Sequence, residues 1–484
     1  MFFLRDRSNR RSRRDAVRLG EVFGAGGNHM KKLKVVIIGA GSATFGGGTI
    51  VDLVSSPELR EFDLTISLVD IDSAALNRIT KLAALVKEHY RSSARIESTP
   101  DRKEALKSAN YVIISVAQRR WDLWEKDFYI PAAFGFRHVF GETAGPGAAF
   151  HTLRSLHVMM PICKDIESIC PEALVLNFTN PESRVCMGIS MLTKLRCVGL
   201  CHGPFATLER IADILQKPSD EIELTVAGIN HFHWATKIQD RKTGRDLYPD
   251  IETRIDSYDW DIDNLTPLMY KLFGLLTYPA PSHPGEYVNF AHAVSGPHFL
   301  FWGLGQVSRK FGSKASDLDY VIEGKSKSYC YHMWSLDVAE KLDRIVAGKE
   351  PLGEQFTQPT RELAIPIICD IELDRKRREL SGNVLNTGRA IRNLAEDAIV
   401  ELPLLVDAQG VHPVDIGSIP EAIAGMCGLQ ISIQKLIVEA YQERSKKLLL
   451  QALVIDPIVD DVGRAREMME FMLNVESEYL PPLR

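Results

Sequence analysis

The fold is decided by one short stretch of the chain, VVIIGAGS at residues 35–42. Its first four residues form a continuous apolar run, which is typical of a strand buried on both faces of a parallel sheet. Gly39 and Gly41 follow directly, and a helical pattern then begins. Glycine lets a backbone turn tightly and approach a pyrophosphate, which the N–H groups opening the helix can bind. The stretch therefore predicts a dinucleotide site that includes Gly39, Gly41 and Ser42.

A second apolar run, at residues 64–69, ends in Asp70. A carboxylate at the end of the second strand can accept hydrogen bonds from both ribose hydroxyls and would repel a 2′-phosphate. Asp70 therefore favours NAD over NADP, although it lies further along the chain than the usual spacing. The alternative is that Asp70 only caps the helix that follows it.

Strands alternate with helices along residues 30–203, which predicts a Rossmann-type, doubly wound parallel sheet of the α/β class. The later strands are expected at 111–116, 173–177 and 197–200, and the helices at 73–89 and 150–169. After residue 203 the pattern changes to strands at 223–227 and 234–239 and long helices at 315–350 and 420–475. We expect residues 204–484 to form an α+β domain that holds the substrate against the first domain, as in lactate and malate dehydrogenases.

Composition and charge argue against several classes of protein. The chain has 484 residues and a net charge of −5, without the clustered basic surface that nucleic-acid binding requires. The sequence contains no stretch of about 18 apolar residues, so we expect no membrane span. Eight cysteines are scattered without a C-x-x-C pair, so we expect reduced thiols and a cytoplasmic protein. The Arg-rich residues 1–29 lack the apolar core of a signal peptide and are expected to be a disordered or non-native extension.

Five short segments follow one another along the chain. They read IGAGS at 38–42, GETAGPG at 141–147, NFTNP at 177–181, GLCHG at 199–203 and AGINH at 227–231. In that order and spacing they resemble glycoside hydrolase family four, which includes α-glucosidases, α-galactosidases, α-galacturonidases and 6-phosphoglycosidases. Each motif alone is weak, whereas the ordered set is specific. The resemblance implies an NAD-dependent and metal-dependent glycosidase.

The resemblance also implies an unusual reaction, outside the two-carboxylate scheme of most glycosidases. NAD⁺ takes a hydride from C3 of the sugar, and the resulting ketone makes the C2 proton acidic. A base removes that proton, the C1–O bond breaks by elimination, water adds, and the hydride returns. A divalent metal, usually manganese, holds the oxygens at C2 and C3.

Cys201 and His231 are the metal ligands that the resemblance implies. Both follow apolar runs, and a thiolate and an imidazole from two loops leave positions vacant for sugar oxygens. The alternative for each is a buried structural residue. His233 falls on the opposite face of an extended segment and is expected to be structural.

Three further residues receive roles from the same resemblance. Asn180 matches an asparagine that binds sugar hydroxyls, and Pro181 biases it toward an extended conformation. His202 stands where phosphoglycosidase members carry an aspartate that is taken as the acid assisting the leaving group, and histidine can donate a proton near neutral pH. Asn177, which opens the motif that contains Asn180, is assigned to the NAD site.

The catalytic base is the least defined of these residues. Some family members use a tyrosine in the region that matches residues 278–287, where Tyr278, His283 and Tyr287 are all candidates. We favour Tyr287, with His283 second. A packed tyrosine with no chemical role is the alternative at each tyrosine position.

The segment at residues 118–122 bears on the identity of the sugar. Phosphate-reading members usually carry an arginine close to the position of Asp122, so this aspartate argues against a 6-phosphate. We therefore expect an unphosphorylated sugar or a uronide, most simply in α-linkage. Arg119, Arg120 or Arg184 can still bind a carboxylate through two hydrogen bonds.

Two other classes of function stay open. The same fold serves dehydrogenases of hydroxy acids and sugars, which would accumulate NADH and would leave Cys201 and His231 without a purpose. A non-catalytic regulator would bind NAD without turnover. Family members tend to be dimers or tetramers, so a homo-oligomer is expected, with neither nucleic acid nor membrane as a partner.

Overall fold

The computed structural model describes residues 30–42, 45–260, 263–295 and 330–484. The extension expected at residues 1–29 lies outside this part of the chain, and so does the first part of the helix expected at 315–350. The described residues form one eleven-stranded sheet with helices packed against it.

The strands of this sheet carry the loops that form the site. In chain order they are β1 (Lys32–Ile38), β2 (Asp63–Val69), β3 (Arg95–Thr99), β4 (Tyr111–Ile114), β5 (Leu174–Asn177), β6 (Cys197–Gly199), β7 (Ile222–Ile229), β8 (Phe232–Asp240), β9 (Arg377–Leu385), β10 (Ile399–Asp407) and β11 (Gly410–Pro413). Their order across the sheet is β3-β2-β1-β4-β5-β6-β9-β10-β7-β8, and β11 pairs with β10.

The first six strands in chain order are parallel, and we call them the parallel half. In the register of β1, Val35 pairs with Ile66 of β2 on one side and with Tyr111 of β4 on the other. Residues 35–38 are all buried, as a strand covered on both faces requires. The order β3-β2-β1-β4-β5-β6 is that of a doubly wound sheet, which binds ligands beyond the carboxyl ends of its strands. The Rossmann-type α/β fold predicted from the sequence is confirmed.

The remaining strands, β7 to β11, pair in antiparallel fashion and form the antiparallel half. Gly199 of β6 pairs with Asn383 of β9 and joins the two halves into one sheet. Strands from before and after residue 203, the domain boundary expected from the sequence, therefore belong to one hydrogen-bonded sheet. The division into residues 30–203 and 204–484 stays a prediction.

Helices fill the connections between the strands. Those described are α1 (Phe45–Ser55), α2 (Ser73–Tyr90), α3 (Arg102–Ala105), α4 (Arg120–Ala133), α5 (Gly145–Ile169), α6 (Glu182–Leu192), α7 (Gly203–Leu215), α8 (Tyr248–Arg254), α9 (Leu265–Phe273), α10 (Ala291–Ser295), α11 (Cys330–Val346), α12 (Ala364–Glu372), α13 (Glu421–Glu443), α14 (Lys446–Val454) and α15 (Val462–Val475).

Within the described residues, α13 is the one helix long and apolar enough to cross a membrane by length and composition. Half of its most apolar 18-residue segment is buried inside the protein, and the helix packs against α5, α6 and β7. Ile423, Cys427 and Ile437 are among its fully buried side chains. The packing therefore gives α13 the surroundings of a core helix.

The structure differs from the sequence prediction around α4 and α5. The strand expected at residues 111–116 ends at Ile114, and α5 begins at Gly145 rather than near residue 150. Pro146 occupies the first turn of α5, where its missing N–H costs nothing. The sequence analysis did not identify α4, because burial of Glu125 and Asp127 alongside its apolar residues removes the usual amphipathic pattern. It also did not identify β3, β9, β10 and β11.

Candidate active site

A pocket opens beyond the carboxyl ends of β4, β5 and β6. The loops that follow these strands meet the turn between β7 and β8 and the segment at residues 278–283. The lining residues are Phe45, Arg120, Trp121, Trp124, Phe140, Glu142, Phe178, Asn180, Leu200, Cys201, His202, Gly203, His231, Tyr278, His283 and Glu362. Seven of the residues singled out from the sequence are therefore in one pocket: Arg120, Asn180, Cys201, His202, His231, Tyr278 and His283.

The loop between β1 and α1 passes close to its neighbours at both predicted glycines. Gly39 has φ of +85°, and a β-carbon there would lie 2.0 Å from the carbonyl oxygen of Ser115. A β-carbon at Gly41 would lie 2.7 Å from Oδ2 of Asp70. Ser42 Oγ accepts a hydrogen bond of 3.2 Å from the N–H of Phe45 at the start of α1. Glycine is thus required twice by close contacts in this loop.

Asp70 follows β2, contacts the glycine loop and does not cap the following helix. Its Oδ2 accepts a hydrogen bond of 2.8 Å from the N–H of Gly41, and its Oδ1 accepts one of 2.9 Å from the N–H of Asp72. Asp72 is the residue that caps α2, by accepting from the N–H groups of Ala74 and Ala75. Asp70 therefore ties the end of β2 to the glycine loop.

Asn177 does not reach this loop or the pocket surface. Its side chain is fully buried, donates to the carbonyl oxygen of Thr179 at 3.1 Å and accepts from the N–H of Thr179 at 3.0 Å. Both hydrogen bonds hold the turn that follows β5. These bonds give the Asn177 side chain a structural role within the turn, and its assignment to the NAD site stays a prediction that they do not support.

Cys201 and His231 approach the pocket from the two halves of the sheet. Cys201 follows β6, and its Sγ accepts a hydrogen bond of 3.3 Å from the N–H of Gly203 at the start of α7. His231 lies in the tight turn between β7 and β8 with φ of +61°. Burial raises the pKa of the Cys201 thiol well above its usual range and lowers the pKa of His231 to about 3. Without a cation, therefore, the thiol is protonated and the imidazole is neutral at pH 7.

A buried polar set lies behind His231. Thr143 Oγ1 is 3.4 Å from Nδ1 of His231 and donates to Oε2 of Glu286 at 2.6 Å. The single proton of the Tyr287 hydroxyl is shared between Thr143 Oγ1, at 3.1 Å, and the carbonyl oxygen of Asn230, at 2.9 Å. Burial raises the pKa of Glu286 to about 8 and that of Tyr287 above its usual range. Nδ1 of His231 therefore faces protein, and its Nε2 is the ring nitrogen left to the pocket.

Tyr287, which the sequence analysis favoured as the base, does not line the pocket. Its ring is buried and stacks on Phe232 at a centroid distance of 4.8 Å. The hydroxyl is occupied by Thr143 and the Asn230 carbonyl, so it is directed into the interior. Its position is therefore that of a support beneath His231, and the choice of Tyr287 as the base stays a prediction that these contacts do not favour.

Tyr278 and His283, the other two candidates for the base, both line the pocket. Their rings are 4.5 Å apart, and the ring of His231 is 5.8 Å from Tyr278 and 4.4 Å from His283. Nδ1 of His283 is 2.8 Å from the Ser282 hydroxyl. Tyr278 also stacks on His233 at 5.5 Å. These contacts hold both side chains against the face of the pocket that contains His231.

His202 is the most exposed of the predicted residues. Its side chain is 56% exposed, stacks on Phe205 at 5.4 Å, and has Nδ1 3.5 Å from Oε1 of Glu362. Glu362 lines the same pocket but was not identified from the sequence, since it lies 160 residues away. The imidazole is accessible both to a ligand and to solvent.

Asn180 belongs to a hydrogen-bonded wall of the pocket. Its Nδ2 donates to Oε1 of Glu142 at 2.9 Å, and Nη2 of Arg120 donates to the same oxygen at 2.7 Å. The Arg120 guanidinium lies 4.6 Å from the ring centre of Trp124. Glu142 was quoted within the GETAGPG motif but received no role, because no local pattern predicts its partners.

The three arginines considered for substrate recognition have different surroundings. Arg120 lines the pocket and pairs with Glu142, while Arg119 forms an exposed ion pair with Asp122 at 2.8 Å. Arg184 is buried outside the pocket lining, and burial lowers its pKa. Of the three, Arg120 alone reaches the pocket.

His233 is buried on the other side of the turn from His231. Its Nδ1 is 2.8 Å from Oε2 of Glu401, and its Nε2 is 2.9 Å from the Thr207 hydroxyl. With both ring nitrogens in contact with protein, it has the surroundings of a structural histidine, as expected. Among the described residues, no group of three or more His, Cys, Asp or Glu side chains has the arrangement of a complete metal site.

The sequence is similar to known proteins along most of its length. A model of “Family 4 glycosyl hydrolase” matches residues 34–217, and a model of “Family 4 glycosyl hydrolase C-terminal domain” matches residues 226–459. An alpha-glucosidase of Erwinia rhapontici is 30% identical over 465 residues, which cover 93% of this chain and 99% of the relative. An alpha-galactosidase of Bacillus subtilis (strain 168) is 30% identical over 428 residues, 88% of this chain and 93% of the relative.

A solved structure extends the comparison to three dimensions. The 6-phospho-alpha-glucosidase from gut microorganisms, in complex with NAD and Mn²⁺, superimposes with a TM-score of 0.73 at 23% identity. The match covers 94% of this chain and 100% of that one, and it shows a shared fold. Because two family models span most of the sequence and relatives are 30% identical over nearly its whole length, the chain belongs to family 4 of the glycosyl hydrolases.

Proposed function

We propose that this glycosyl hydrolase cleaves α-glycosides of unphosphorylated sugars with the help of NAD⁺ and a divalent metal, Mn²⁺ first among them. One observation carries the proposal: Cys201 and His231 line a single pocket beyond the carboxyl ends of the parallel strands. A soft thiolate and an imidazole are ligands that suit a catalytic transition metal. The names of the relatives, an alpha-glucosidase and an alpha-galactosidase, support the class of substrate.

The residues of the glycine loop fit a bound dinucleotide. Gly39 and Gly41 leave the space that a β-carbon would fill, and the loop leads directly into α1. Asp70 is held beside Gly41 by a hydrogen bond of 2.8 Å and presents a carboxylate at the end of β2. A carboxylate there accepts from ribose hydroxyls and disfavours a 2′-phosphate, so NAD⁺ is the expected form.

The residues around Cys201 fit a divalent cation. Nε2 of His231 is the ring nitrogen on the pocket side, and the Cys201 thiol lies in the same lining. A cation of charge +2 favours the thiolate that burial otherwise disfavours. When both are bound, NAD⁺ at the glycine loop would supply a hydride acceptor for the sugar, and a divalent cation held by Cys201 and His231 would supply a Lewis acid.

The side chains of the pocket then divide the proton transfers. Tyr278 takes the C2 proton, since a tyrosine is the residue that the family resemblance implies and Tyr278 lines the pocket. His202 donates a proton to the leaving oxygen, and its exposure lets water restore that proton. Asn180, fixed by its hydrogen bond to Glu142, orients the sugar hydroxyls.

The charges of the pocket support a substrate without a phosphate group. Arg120 is paired with Glu142, which neutralises its guanidinium, and Glu362 adds a further carboxylate beside His202. Asp122 is paired with Arg119 outside the pocket lining. A phosphate dianion would meet the Arg120–Glu142 pair, which has no net charge, and the carboxylate of Glu362, which disfavours its binding.

The deciding experiment measures release of p-nitrophenol from α- and β-glucosides, galactosides and galacturonides and from their 6-phosphates. Each is assayed with NAD⁺, Mn²⁺ and a thiol reductant, and again with each component omitted or with NADP⁺ in place of NAD⁺. We expect cleavage of an unphosphorylated α-glycoside that requires all three components and accumulates no NADH. Accumulation of NADH with a hydroxy acid or simple sugar, without cleavage of any glycoside, would establish the dehydrogenase instead.

The role of Tyr278 has its own measurement, exchange of the substrate C2 proton with deuterated solvent. Tyr278→Phe is expected to abolish exchange and cleavage, while His283→Gln is expected to reduce both without abolishing them. Tyr287→Phe removes a buried hydroxyl of the neighbouring segment and is expected to reduce exchange less than Tyr278→Phe. Exchange at the wild-type rate in Tyr278→Phe would transfer the role of base to His283.

The cellular location and assembly follow from the sequence alone and stay predictions. We expect a cytoplasmic homo-oligomer, a dimer or a tetramer. Light scattering coupled to gel filtration measures the assembly, and a monomer at micromolar concentration would contradict it.

A further inference from the structure

Four buried side chains form a continuous hydrogen-bonded set behind the pocket. Glu286 and Tyr287 belong to a short 3₁₀ turn at Pro284–Tyr287, and Thr143 precedes α5. This set reaches His231 through the contact of 3.4 Å between Thr143 Oγ1 and Nδ1. Its members are separated by up to 144 residues along the chain and meet only in the folded protein.

The Glu286 carboxylate is surrounded by donors. Its Oε1 accepts from the backbone N–H groups of Glu142 at 2.5 Å and Thr143 at 3.0 Å. Its Oε2 accepts from the Thr143 N–H at 3.1 Å and from the Thr143 hydroxyl at 2.6 Å. No backbone N–H can reverse its direction, so Glu286 is an acceptor on the side that faces residues 142–143.

Counting protons along the set fixes the tautomer of His231. When the Glu286 carboxyl is ionised, it can only accept, so the one proton of the Thr143 hydroxyl is used in the contact with Oε2. Toward Nδ1 of His231, Thr143 Oγ1 can then only accept, so Nδ1 must carry the ring proton. A neutral imidazole protonated on Nδ1 has its lone pair on Nε2, on the pocket side.

We propose that Glu286, acting through the hydroxyl of Thr143, is a positioning residue that holds His231 with Nδ1 protonated and Nε2 available to the divalent cation. The inference rests on the proposed function, in which His231 is a metal ligand. It deepens that function by assigning a role to a buried carboxylate that touches neither the pocket nor a ligand. A ligating histidine generally donates its second N–H to such a partner, which fixes its tautomer and orientation.

Glu286→Gln tests the inference because it reverses the direction of the hydrogen bonds from residue 286 through Thr143 to His231. The amide oxygen is expected to replace Oε1, where two backbone N–H groups need an acceptor, so the amide NH₂ faces Thr143. Thr143 Oγ1 then accepts from the amide, its own proton turns to Nδ1 of His231, and Nε2 becomes protonated. The variant keeps the size of the side chain and changes the direction of two hydrogen bonds.

The first measurement needs no metal. Nitrogen-15 shifts of His231, assigned with the His231→Ala variant, report the tautomer in metal-free protein labelled on histidine. They are recorded at pH 9, above the pKa of about 8 that burial gives Glu286. We expect Nδ1–H in the wild type and a shift to Nε2–H in Glu286→Gln. An Nε2–H tautomer in the wild type would overturn the proposal.

The second measurement is Mn²⁺ affinity, also at pH 9, read from the electron paramagnetic resonance signal of free Mn²⁺ in the presence of NAD⁺. Loss of such a partner is expected to weaken binding roughly 10-fold to 100-fold in Glu286→Gln and in Thr143→Val. Thr143→Ser restores the hydroxyl and should restore affinity. The Thr143 pair keeps the inference testable if Glu286→Gln does not fold.

Thr207→Val is the matched control. It removes another buried threonine hydroxyl in contact with a histidine ring, that of His233, at 2.9 Å. Its Mn²⁺ affinity should stay within about twofold of the wild type, because a substitution that does not act on the metal site should change the affinity by no more than this. A loss in Thr207→Val equal to that in Thr143→Val would overturn the proposal, since general loosening of the core would explain both.

Failure of this inference is distinguishable from failure of the proposed function. If wild-type protein binds Mn²⁺ no better than His231→Ala, the proposed metal site is wrong whatever Glu286 does. If His231 is needed but Glu286→Gln and Thr143→Val both keep affinity within about twofold, the metal site stands and the positioning role is wrong.

Discussion

The two halves of the sheet prepare their parts of the site by different means. In the parallel half the functional groups belong largely to the backbone: a glycine loop, the start of a helix and one carboxylate, Asp70, tied to that loop. In the antiparallel half they are buried side chains that contact one another, such as His233 with Glu401 and Asn383 with Glu401. The first kind of site depends on local geometry, and the second depends on contacts between distant parts of the chain.

Loss of His231 is the largest expected effect, since this residue links the antiparallel half to the parallel one. His231→Ala, and likewise Cys201→Ser, should reduce glycoside cleavage by more than the roughly 100-fold that loss of an outer partner costs. NAD⁺ binding, followed by nucleotide fluorescence, should persist. Cys170→Ser, at a thiol that ends α5, is the matched control and should keep activity. Full activity in Cys201→Ser would show that the halves do not meet at a shared cation.

Glu401→Ala tests the buried side chains of the antiparallel half directly. It leaves Nδ1 of His233 and the amide of Asn383 without their carboxylate in a fully buried place. Breaking such a pair is expected to lower the free energy of unfolding by about 3–5 kcal/mol. Urea titration followed by circular dichroism measures it. Glu467→Ala, at an exposed position of α15, should change it by less than about 0.5 kcal/mol.

A pH titration sharpens the comparison at His138, which is buried beside α4. Its Nε2 is 2.6 Å from the carbonyl oxygen of Phe128, and burial lowers its pKa to about 4. Between this value and the unfolded value of about 6.5 the unfolded chain binds the proton better, so stability falls as the pH falls. The wild type should lose about 3 kcal/mol more than His138→Gln between pH 6.5 and 4. Equal losses in metal-free samples of both proteins would refute this.

The smallest effect on stability is expected in the parallel half, where one glycine is replaced. Gly39→Ala places a side chain at φ of +85° with its β-carbon 2.0 Å from the Ser115 carbonyl oxygen. The conformation alone costs about 1–2 kcal/mol, and displacement of the loop should weaken NAD⁺ binding. Gly425→Ala, where α13 is exposed and nothing lies within 4 Å, should instead stabilise the protein by about 0.5–1 kcal/mol. Unaltered NAD⁺ affinity in Gly39→Ala would argue against a nucleotide at this loop.

The same difference explains what could be predicted from the sequence. The stretch at 35–42 indicates a strand, a turn and the start of a helix within eight residues, so the parallel sheet and the glycine turn were predicted from the sequence. Strands β9 and β10 were not identified, because burial inside the sheet places polar residues such as Asn383 and Glu401 among apolar ones. Their register depends on pairing with β6 and β7, far away in the chain.

Within the site, the predictions for Asn177 and Tyr287 find no support in the contacts of their side chains. Asn177 and Tyr287 each lie within a motif that contributes to the pocket, yet both side chains turn inward and hydrogen bond to the backbone. Sequence proximity to a functional residue does not report this direction. Glu142 lies in the GETAGPG motif and Glu286 in the segment at residues 278–287. Only their hydrogen bonds in the folded protein indicate what these two side chains do.

The pairing of Gly199 with Asn383 has a consequence for motion. Many enzymes with two lobes release product by swinging one lobe away from the other about a hinge. Here the two halves are joined within one sheet by the pairing of β6 with β9, so opening in that manner would break this pairing. Substrate entry and product exit must therefore proceed through shifts of the loops around a rigid frame. Engineering a faster exchange of product should accordingly target those loops and leave this pairing intact.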